Sequence, residues 1–526
     1  MRFPIAAPRT SRLARIFSGL AALVVFLVAG PSALRAAAAE PPPNLIVIYT
    51  DDIGYGDLGC YGATKVRTPH IDRLAREGRR FTDAHTVSAV CTPSRYALLT
   101  GEYPFRINSF APVFARAGLI VDPAKNTVAR HLQSAGYATA CIGKWHLGFG
   151  PKGQVPDWNT ALKPGPRELG FDWFYGLPTV SSHSPFVLME NDRVLGLDPA
   201  DPLVHGGTPP TQPFPEKNLT ANPVSGGRAA HALYRDEELG THFAAKAVAW
   251  LHEKKSAPFF LLFSTPHIHH PFTPHPRFHG TSEAGRYGDF IHELDWMVGE
   301  LLRTLDELKL ADRTLVLFTS DNGAMLNDGG QAAWRAGHRP NGNLLGFKFG
   351  AWEGGHRVPF IARWRGRIPA GTTSSALVAN VDLLATVAAL VRRPLAPADG
   401  PDSFNLLPAL LGDSPRSIRD HLVIAPFSPK LLALRSGDWV YLSGQGDGGF
   451  GGVRGGPASL AFSQRPNSDV TPDGKLRPDA PPDQLYHLGR DPQQTKNVVR
   501  DEPAVAARLR AELAAHRAAA RTAPPR

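Results

Sequence analysis

The sequence predicts an α/β protein in which a large, mostly parallel mixed sheet is sandwiched by helices and is followed by a smaller antiparallel sheet with a covering helix. The first observation is a set of short apolar runs bounded by turn residues, which are typical of buried strands: 45–49, 138–142, 259–263 and 315–318. The second is the helical spacing of apolar residues in 243–255 and 290–305, before the third and fourth runs. Helices that alternate with buried strands indicate a parallel sheet covered on both faces.

The first 39 residues have the order of a secretory signal peptide. Arginines precede an apolar run at 16–30, and small residues follow at 36–39. An uncleaved membrane anchor is the alternative, but the apolar run is short for a bilayer span. We expect cleavage near Ala39, no stable membrane anchor, and a mature protein that is periplasmic or secreted. Cleavage would lower the formal net charge from +10 to +5, because five arginines lie in 1–39.

The remaining chain is expected to form an α/β domain over 40–412 and a smaller α+β subdomain over 413–526. In the second segment, strand-like pieces surround a Gly-rich stretch at 444–456, and an Ala/Arg-rich helix begins near Ala504. No dense Lys/Arg tract is present, so we expect no nucleic-acid partner. Three cysteines cannot form a disulfide framework, although Cys60 and Cys141 could pair in an oxidising compartment.

Polar side chains follow each of the four predicted strands. Ligands of such sheets bind beyond the carboxyl ends of the strands, so these clusters can converge on one crevice. Asp51 and Asp52 follow the first strand, and Asp321 and Asn322 follow the fourth. Three carboxylates and an amide are hard oxygen ligands, which favour Ca²⁺, with Mg²⁺ as the less favoured ion and Zn²⁺ disfavoured. Turn and helix capping is the alternative explanation for either pair alone.

Cationic and imidazole groups follow the other two strands. Lys144 and His146 lie two residues apart in Gly-Lys-Trp-His, a spacing that places both on one side of an extended segment. A solvated lysine and a core histidine would give the same pattern. Histidines cluster in 266–271 without a carboxylate or thiol beside them, which disfavours a zinc site. Further along the chain, Lys348 precedes Glu-Gly-Gly-His-Arg-Val-Pro, where a surface lysine is the alternative.

The pentapeptide Cys-Thr-Pro-Ser-Arg at 91–95 is the most informative segment. Proline is favoured in the first turn of a helix, and Gly101 can end a helix that begins near Ser94. Cys91 would then lie at the positive end of that helix, where anions are stabilised. A buried structural cysteine before a capped helix is the alternative.

Across 42–365 these segments together resemble the type I, formylglycine-dependent sulfatases, which are arylsulfatase-like members of the alkaline-phosphatase superfamily. The match comprises C-x-P-x-R, D-D with its G-Y-G-D tail, G-K-W-H, D-N and an H-x-P matched by His269-His270-Pro271. The resemblance implies an alkaline-phosphatase-like fold. It also implies that a formylglycine-generating or equivalent maturation enzyme oxidises Cys91 to formylglycine, whose hydrate is the nucleophile.

The resemblance also implies a role for each matched residue. The implied Ca²⁺ ligands are Asp51, Asp52, Asp321 and Asn322, together with residue 91. The implied sulfate-binding residues are Lys144, His269 and Lys348, with Arg95 adding positive charge, Lys348 also assisting the leaving oxygen, and His146 serving as a base. His267 is the alternative to His269. Ser182 or His183 corresponds more loosely to a further sulfate contact.

The implied activity is hydrolysis of sulfate esters, with a sulfated carbohydrate or an aryl sulfate as substrate. One alternative is a phosphodiesterase or phosphonate monoester hydrolase of the same superfamily. Those enzymes usually hold two metals with more Asp and His ligands, and Asn322 stands where a second metal would favour His. The other alternative is a non-catalytic, exported protein that binds sulfated glycans, against which the occupancy of every catalytic position argues.

Overall fold

The computed structural model describes residues 42–413, 417–452 and 454–525, and a ten-stranded sheet lies at its centre. The segment Pro42–Arg526 forms one compact unit. The predicted signal peptide at 1–39 lies outside the described residues. The strands are β1 (Asn44–Thr50), β2 (Arg79–Phe81), β3 (Ala84–His85), β4 (Ala138–Lys144), β5 (Trp173–Leu177), β6 (Met189–Glu190), β7 (Arg193–Val194), β8 (Val204–His205), β9 (Val224–Ser225), β10 (Phe259–Ser264), β11 (Thr314–Ser320), β12 (Phe360–Arg363), β13 (Thr372–Ser374), β14 (Val378–Ala379), β15 (His421–Ile424), β16 (Ala433–Ser436), β17 (Trp439–Leu442) and β18 (Gln484–His487).

The central sheet runs in the order β13-β2-β12-β11-β1-β10-β4-β5-β6-β7. Its middle strands, from β11 to β5, are parallel, whereas β12 pairs with β11 in the antiparallel direction, as β6 does with β5. The four strands predicted from apolar runs are confirmed as β1, β4, β10 and β11. Every residue of β1 is buried, which explains why its run 45–49 is continuously apolar rather than alternating.

Helices cover both faces of this sheet. They are α1 (Pro69–Arg76), α2 (Cys91–Thr100), α3 (Val128–Ser134), α4 (Arg228–Ala232), α5 (Leu239–Lys254), α6 (Gly285–Glu307), α7 (Asp328–Arg335), α8 (Glu353–His356), α9 (Leu383–Leu390), α10 (Leu407–Leu411), α11 (Gly456–Ser463) and α12 (Pro503–Ala518). Alternate residues of β1 enter two separate apolar cores: Val47 joins one with α2, α3 and α9, and Ile46 joins the other with α5 and α6. The predicted layered α/β architecture is confirmed.

A second, four-stranded antiparallel sheet follows near the carboxyl terminus, in the order β15-β16-β17-β18. Helix α12 contacts β16 and β17, as the expected covering helix would. The apolar core between this sheet and α12 is continuous with Val87, Ala97 and Tyr103 of the preceding segment. The small antiparallel sheet is therefore confirmed, and the boundary at 412/413 stays a prediction.

The possible Cys60–Cys141 disulfide is not formed, since all three cysteines are free. Cys141 lies in β4 and contributes to the core on one face of the sheet, whereas Cys60 packs against the core on the other face. The sheet itself therefore separates the two thiols. Among the described helices, none combines the length and apolar character that a bilayer crossing requires.

Candidate active site

The carboxyl ends of β1, β4, β10 and β11 meet at one edge of the sheet. Because Thr50 of β1 aligns with Ser320 of β11, the residues that follow them, Asp51 and Asp321, emerge side by side. Ser264 at the end of β10 aligns with Gly143 of β4, which directly precedes Lys144. The predicted convergence of the polar clusters therefore follows from the parallel register.

A buried acidic cluster lies at this edge. Carboxylate oxygens of Asp51, Asp52 and Asp321 all lie within 4.8 Å of one another. Asn322 joins the cluster because its Nδ2 donates to Asp52 Oδ1 at 2.7 Å. A left-handed backbone at Asp52, with φ of 62°, turns the chain so that consecutive aspartates enter the same cluster.

Three basic side chains pair with the acidic cluster. Arg95 donates to Asp321 Oδ2 through Nε at 3.0 Å and through Nη2 at 2.7 Å. Lys144 Nζ lies 2.6 Å from Asp51 Oδ2, and Lys348 Nζ lies 2.5 Å from Asp52 Oδ1. Burial opposes the charge on Lys348, yet the nearby carboxylates outweigh it and raise the pKa of this lysine above its ordinary range.

The acidic cluster fits a hard divalent cation. Among the described residues, Asp51 Oδ1 and Asn322 Oδ1 are buried without a hydrogen-bond partner. Burial, and then the charge of Asp51, raise the pKa of Asp321 against the opposing effect of the neighbouring cations. Unpartnered oxygens and mutual carboxylate repulsion are both relieved by an ion such as Ca²⁺, which takes carboxylate and amide oxygens.

Cys91 is the first residue of α2, which begins three residues earlier than the sequence suggested and ends, as expected, before Gly101. The positive φ of Gly101, 65°, provides the left-handed helix cap for which glycine is suited. Cys91 is only 2% exposed, and burial raises the pKa of its thiol even though Lys144 and Lys348 favour the thiolate. An unmodified thiol is therefore a poor nucleophile here.

The His146 imidazole lines the same cavity as Cys91. Burial, followed by the charges of Lys144, Arg95 and Lys348, holds the pKa of His146 well below its usual value. Neither ring nitrogen has a fully formed hydrogen bond to another described residue. His146 is thus a neutral imidazole with free lone-pair capacity, which is the form that a general base needs.

The cavity beyond these residues has a volume of about 730 Å³, and Cys91, His146, His269 and Lys348 all line it. His269 donates through its Nδ1–H to the His270 carbonyl, 2.7 Å away, which leaves Nε2 for a ligand. Burial, and then the charge of His270, lower the pKa of His269 well below its usual value.

His267 and Ser182 do not line this cavity. The ring nitrogens of His267 lie 2.7 Å from Thr265 Oγ1 and 3.3 Å from a Glu293 oxygen, so both face protein groups. Ser182 is buried and its hydroxyl contacts His183 Nδ1 at 2.9 Å, and it is His183 that lines the cavity. The structure therefore brings His269 and His183 to the cavity, and His267 and Ser182 lie behind it.

Sequence reasoning missed Ser264 and His270. Ser264 Oγ accepts from Arg95 Nη1 at 2.6 Å and donates to the Lys144 carbonyl at 2.7 Å, so it links the ends of β4 and β10 to α2. Its position as the last residue of β10 was the available signal. His270 lines the cavity and, with Asp52 and His269, forms a second cluster of ligand atoms within 4.8 Å.

Comparisons with known proteins agree with this geometry. The family model described as Sulfatase matches residues 43–392. An N-acetylgalactosamine-6-O-sulfatase of Bacteroides thetaiotaomicron is 39% identical over 492 residues, which cover 89% of this chain and 91% of that protein. Arylsulfatase A of Homo sapiens is 33% identical over 499 residues, with coverage of 91% and 86%.

Solved structures agree as well. One from work on the metabolism of multiple glycosaminoglycans by Bacteroides thetaiotaomicron has a TM-score of 0.80 at 37% identity, covering 91% of this chain and 100% of that one. Phosphonate monoester hydrolase of Agrobacterium radiobacter, at 18% identity and a TM-score of 0.57, covers 90% and 95% and shares the fold alone. The resemblance found in the sequence is confirmed: the chain belongs to the sulfatase family and is a sulfuric ester hydrolase.

Proposed function

We propose that this enzyme hydrolyses sulfate esters of carbohydrates, and aryl sulfates as simpler substrates, after Cys91 has been oxidised to formylglycine. The observation that carries the proposal is the position of Cys91 at the start of α2, inside the cavity and within the field of Lys144 and Lys348. The printed name of the Bacteroides thetaiotaomicron relative, an N-acetylgalactosamine-6-O-sulfatase, supports a 6-sulfated amino sugar as the first substrate to test.

Two groups would complete the site. The ligands for Ca²⁺ would be Asp51, Asp52, Asp321 and Asn322, beside residue 91. When bound, Ca²⁺ would neutralise charge on the sulfate oxygens, and formylglycine would supply the nucleophilic oxygen that the buried thiol cannot.

Side chains of the chain itself would stabilise charge on the sulfate, contact its oxygens and transfer protons. Lys144, Lys348 and Arg95 are held rigidly by ion pairs, so they present positive charge to a sulfate without reorganising. His269 contacts a sulfate oxygen through Nε2–H once the ring takes up a second proton, because its Nδ1–H already donates to the His270 carbonyl and the anionic sulfate favours the charged ring. His146 accepts a proton at a ring nitrogen when sulfate is released, and Lys348 Nζ steadies the departing alcohol oxygen.

The proposal includes export and maturation. The basic, apolar and small-residue order of 1–39 supports cleavage near Ala39 and a periplasmic or secreted enzyme. A formylglycine-generating or equivalent enzyme in the same cell would act on Cys91. Amino-terminal sequencing of the exported protein would test the cleavage, and a mature chain that still begins at Met1 would contradict it.

Peptide mass spectrometry tests the modification directly. In protein made with a maturation enzyme, residue 91 should lose sulfur and two hydrogens and gain one oxygen, and sulfate release should scale with the converted fraction. Cys91→Ala should fold with an unchanged melting temperature and release no sulfate. Full activity in protein whose Cys91 is entirely an unmodified thiol would overturn the proposed nucleophile.

Phosphodiester or phosphonate monoester hydrolysis is a second candidate, supported by the ligand cluster of Asp52, His269 and His270 beside the main acidic cluster. A second metal there would suit that chemistry. Turnover of a sulfate ester and a phosphodiester with the same leaving group separates the candidates. We expect kcat/KM to favour the sulfate ester, and a preference for the phosphodiester would reverse the assignment.

A further inference from the structure

The outer wall of the cavity carries three phenylalanines from three separate segments. Phe349 follows Lys348, Phe427 follows β15, and Phe450 belongs to the Gly-rich stretch. The Phe450 ring centroid lies 4.9 Å from that of Phe349 and 4.7 Å from that of Phe427. Phe450 is 43% exposed, so one face of an aromatic cluster is open to the cavity. Exposed aromatic surface inside a concave site is typical of a ligand contact.

Backbone contacts hold this aromatic cluster in place. Asp447 is buried, and its carboxylate accepts from the backbone N–H of Gly449 at 2.9 Å and of Gly456 at 3.2 Å. The Asp447 carbonyl accepts from Ala351 N–H at 2.8 Å, which ties the Gly-rich stretch to the segment that carries Lys348. Phe427 N–H in turn donates to the Phe349 carbonyl at 2.9 Å. The wall is therefore a preformed surface rather than a loose loop.

Arg454 stands next to this wall. It is exposed, lines the cavity, and makes no ion pair with another described residue. It also lies close enough to the partly exposed His270 to contribute to the lowered pKa of that imidazole, after desolvation and the charges of Lys348 and His183. A cation without a counter-ion at the mouth of an anion-binding cavity is suited to a second negative group of the ligand.

We propose that Phe450 and Arg454 select the alcohol part of the substrate. Phe450 packs against the apolar C–H face of the sugar that carries the sulfate, and Arg454 pairs with an anionic group on the neighbouring sugar. The substrate class is thus an acidic oligosaccharide rather than an isolated sulfated sugar. This inference rests on the proposed sulfatase activity and adds the selection of the leaving group.

The test uses the full, matured enzyme and four substrates. They are an aryl sulfate, N-acetylgalactosamine 6-sulfate, the same sugar sulfate linked to a uronic acid, and the same sugar sulfate linked to a second sulfated neutral sugar. For wild type, kcat/KM should be higher than for the single sugar with the linked substrate whose second anion pairs with Arg454. Arg454→Ala should lower kcat/KM for a linked substrate relative to the single sugar by about 10- to 100-fold, the value of a charged hydrogen bond.

The two linked substrates distinguish a carboxylate from a second sulfate as the partner of Arg454. Only the substrate that carries the true partner should lose its higher kcat/KM in Arg454→Ala.

Phe450→Ala should raise KM for all three sugar sulfates about tenfold with little change in kcat, as expected for lost apolar contact. Arg490→Ala serves as the matched control, since Arg490 is another exposed arginine of the carboxyl-terminal part and lies outside the cavity lining.

The outcomes separate this inference from the proposed function. If wild type releases sulfate but Arg454→Ala and Arg490→Ala show the same substrate ratios, the assignment of Arg454 is wrong and the sulfatase proposal stands. Unchanged KM values in Phe450→Ala would likewise remove Phe450 from the binding surface. If matured wild type releases sulfate from none of the four substrates, the proposed function itself fails.

Discussion

At the scale of single residues, His146 shows how surroundings determine chemistry. The side chain follows β4 in a left-handed backbone with φ of 58°, which lets it turn into the cavity directly after Lys144 and Trp145. Burial, and then the neighbouring cations, hold the pKa of His146 well below its usual value, so the ring rests in its neutral form. The same residue type on the protein surface would titrate at about pH 6.5 and would be partly protonated at neutral pH.

We expect His146 to remain neutral at pH 6.5 and above, where an ordinary imidazole begins to take up a proton. The pKa is lowered, so the folded protein resists protonation throughout this range and gains the charge only at more acidic pH. Histidine NMR titration measures this, with the His146 signal identified by its absence in His146→Gln. A His146 midpoint near 6.5 would contradict the expectation. Substitution by Ala should lower kcat by about 10²- to 10⁴-fold, as for a lost general base.

At the scale of elements, the approach of β4 and β5 depends on two glycines. Gly143 pairs with Gly176, and a Cβ on Gly176 would lie 1.7 Å from the Gly143 carbonyl oxygen. A Cβ on Gly143 would lie 2.1 Å from the Ser264 carbonyl oxygen of β10. Backbone rather than flexible side chain occupies both positions, so a methyl group can enter only if the strands separate.

Gly176→Ala should therefore destabilise the protein by about 3 kcal/mol, the upper end of overpacking effects. It should also lower kcat, because separation of β4 moves the adjoining Lys144. Thermal unfolding and sulfate release measure the two effects. Gly451→Ala is the control, since a Cβ there meets nothing within 4 Å. Equal melting temperatures for the two variants would show that the strands tolerate the added methyl.

Helix α1 has an unusual amino-terminal partner in Asp295 of α6. The Asp295 carboxylate accepts from the backbone N–H of His70 at 3.0 Å and of Ile71 at 2.8 Å. Burial outweighs these donors and raises the pKa of Asp295 from 3.8 to about 7. The folded state therefore holds this proton more tightly than the unfolded chain does.

The contribution of Asp295 to stability should fall as pH rises from about 4 to 7. In this range the carboxyl is protonated in the folded state and ionised in the unfolded chain. The folded state therefore binds more protons, and a rise in pH favours unfolding. The slope reaches about 1.4 kcal/mol per pH unit. Unfolding of Asp295→Asn across this range should lose that component, whereas Asp312→Asn, at an exposed site, should retain it. Identical pH profiles for wild type and Asp295→Asn would contradict the raised pKa.

The elements also show which features the sequence made predictable. The four central strands and their polar ends could be predicted because apolar runs and turn residues are local signals. The choice between His267 and His269 could not, because it depends on Thr265 and on Glu293 of α6, which contact His267. The aromatic cluster around Phe450 was equally hidden, since tertiary packing alone brings 349, 427 and 450 together.

At the scale of the whole molecule, the carboxyl-terminal sheet is joined to the larger sheet by buried polar contacts as well as by apolar packing. Arg419 is fully buried and donates to Asp382 Oδ1 at 2.8 Å, and Arg435 of β16 lies 3.2 Å from Asp83 Oδ2. The Trp352 indole N–H donates to Gln484 of β18 at 3.1 Å. Loss of either partner would leave a buried charge or donor unsatisfied.

We expect the mature chain to unfold in one cooperative calorimetric transition, with calorimetric and van't Hoff enthalpies in agreement. A chain that ends at 412, the proposed domain boundary, should be insoluble or lack a cooperative transition, because one face of the core that includes Val87 and Tyr103 would be exposed. Differential scanning calorimetry and the solubility of the truncated chain test this. Two separable transitions would instead establish an independent carboxyl-terminal domain.

The ion pairs at the strand ends have a consequence for the order of assembly. Three carboxylates are matched by three side-chain cations, so the site is electrically neutral before any ion arrives. If the proposed Ca²⁺ binds, the polypeptide can therefore fold before the ion arrives, because no unfolded-to-folded stage concentrates unbalanced negative charge. Binding of the proposed Ca²⁺ would then leave a surplus of two positive charges, which an incoming sulfate group would cancel. Enzyme treated with a chelator should consequently stay folded, and it should regain activity when the ion is added back.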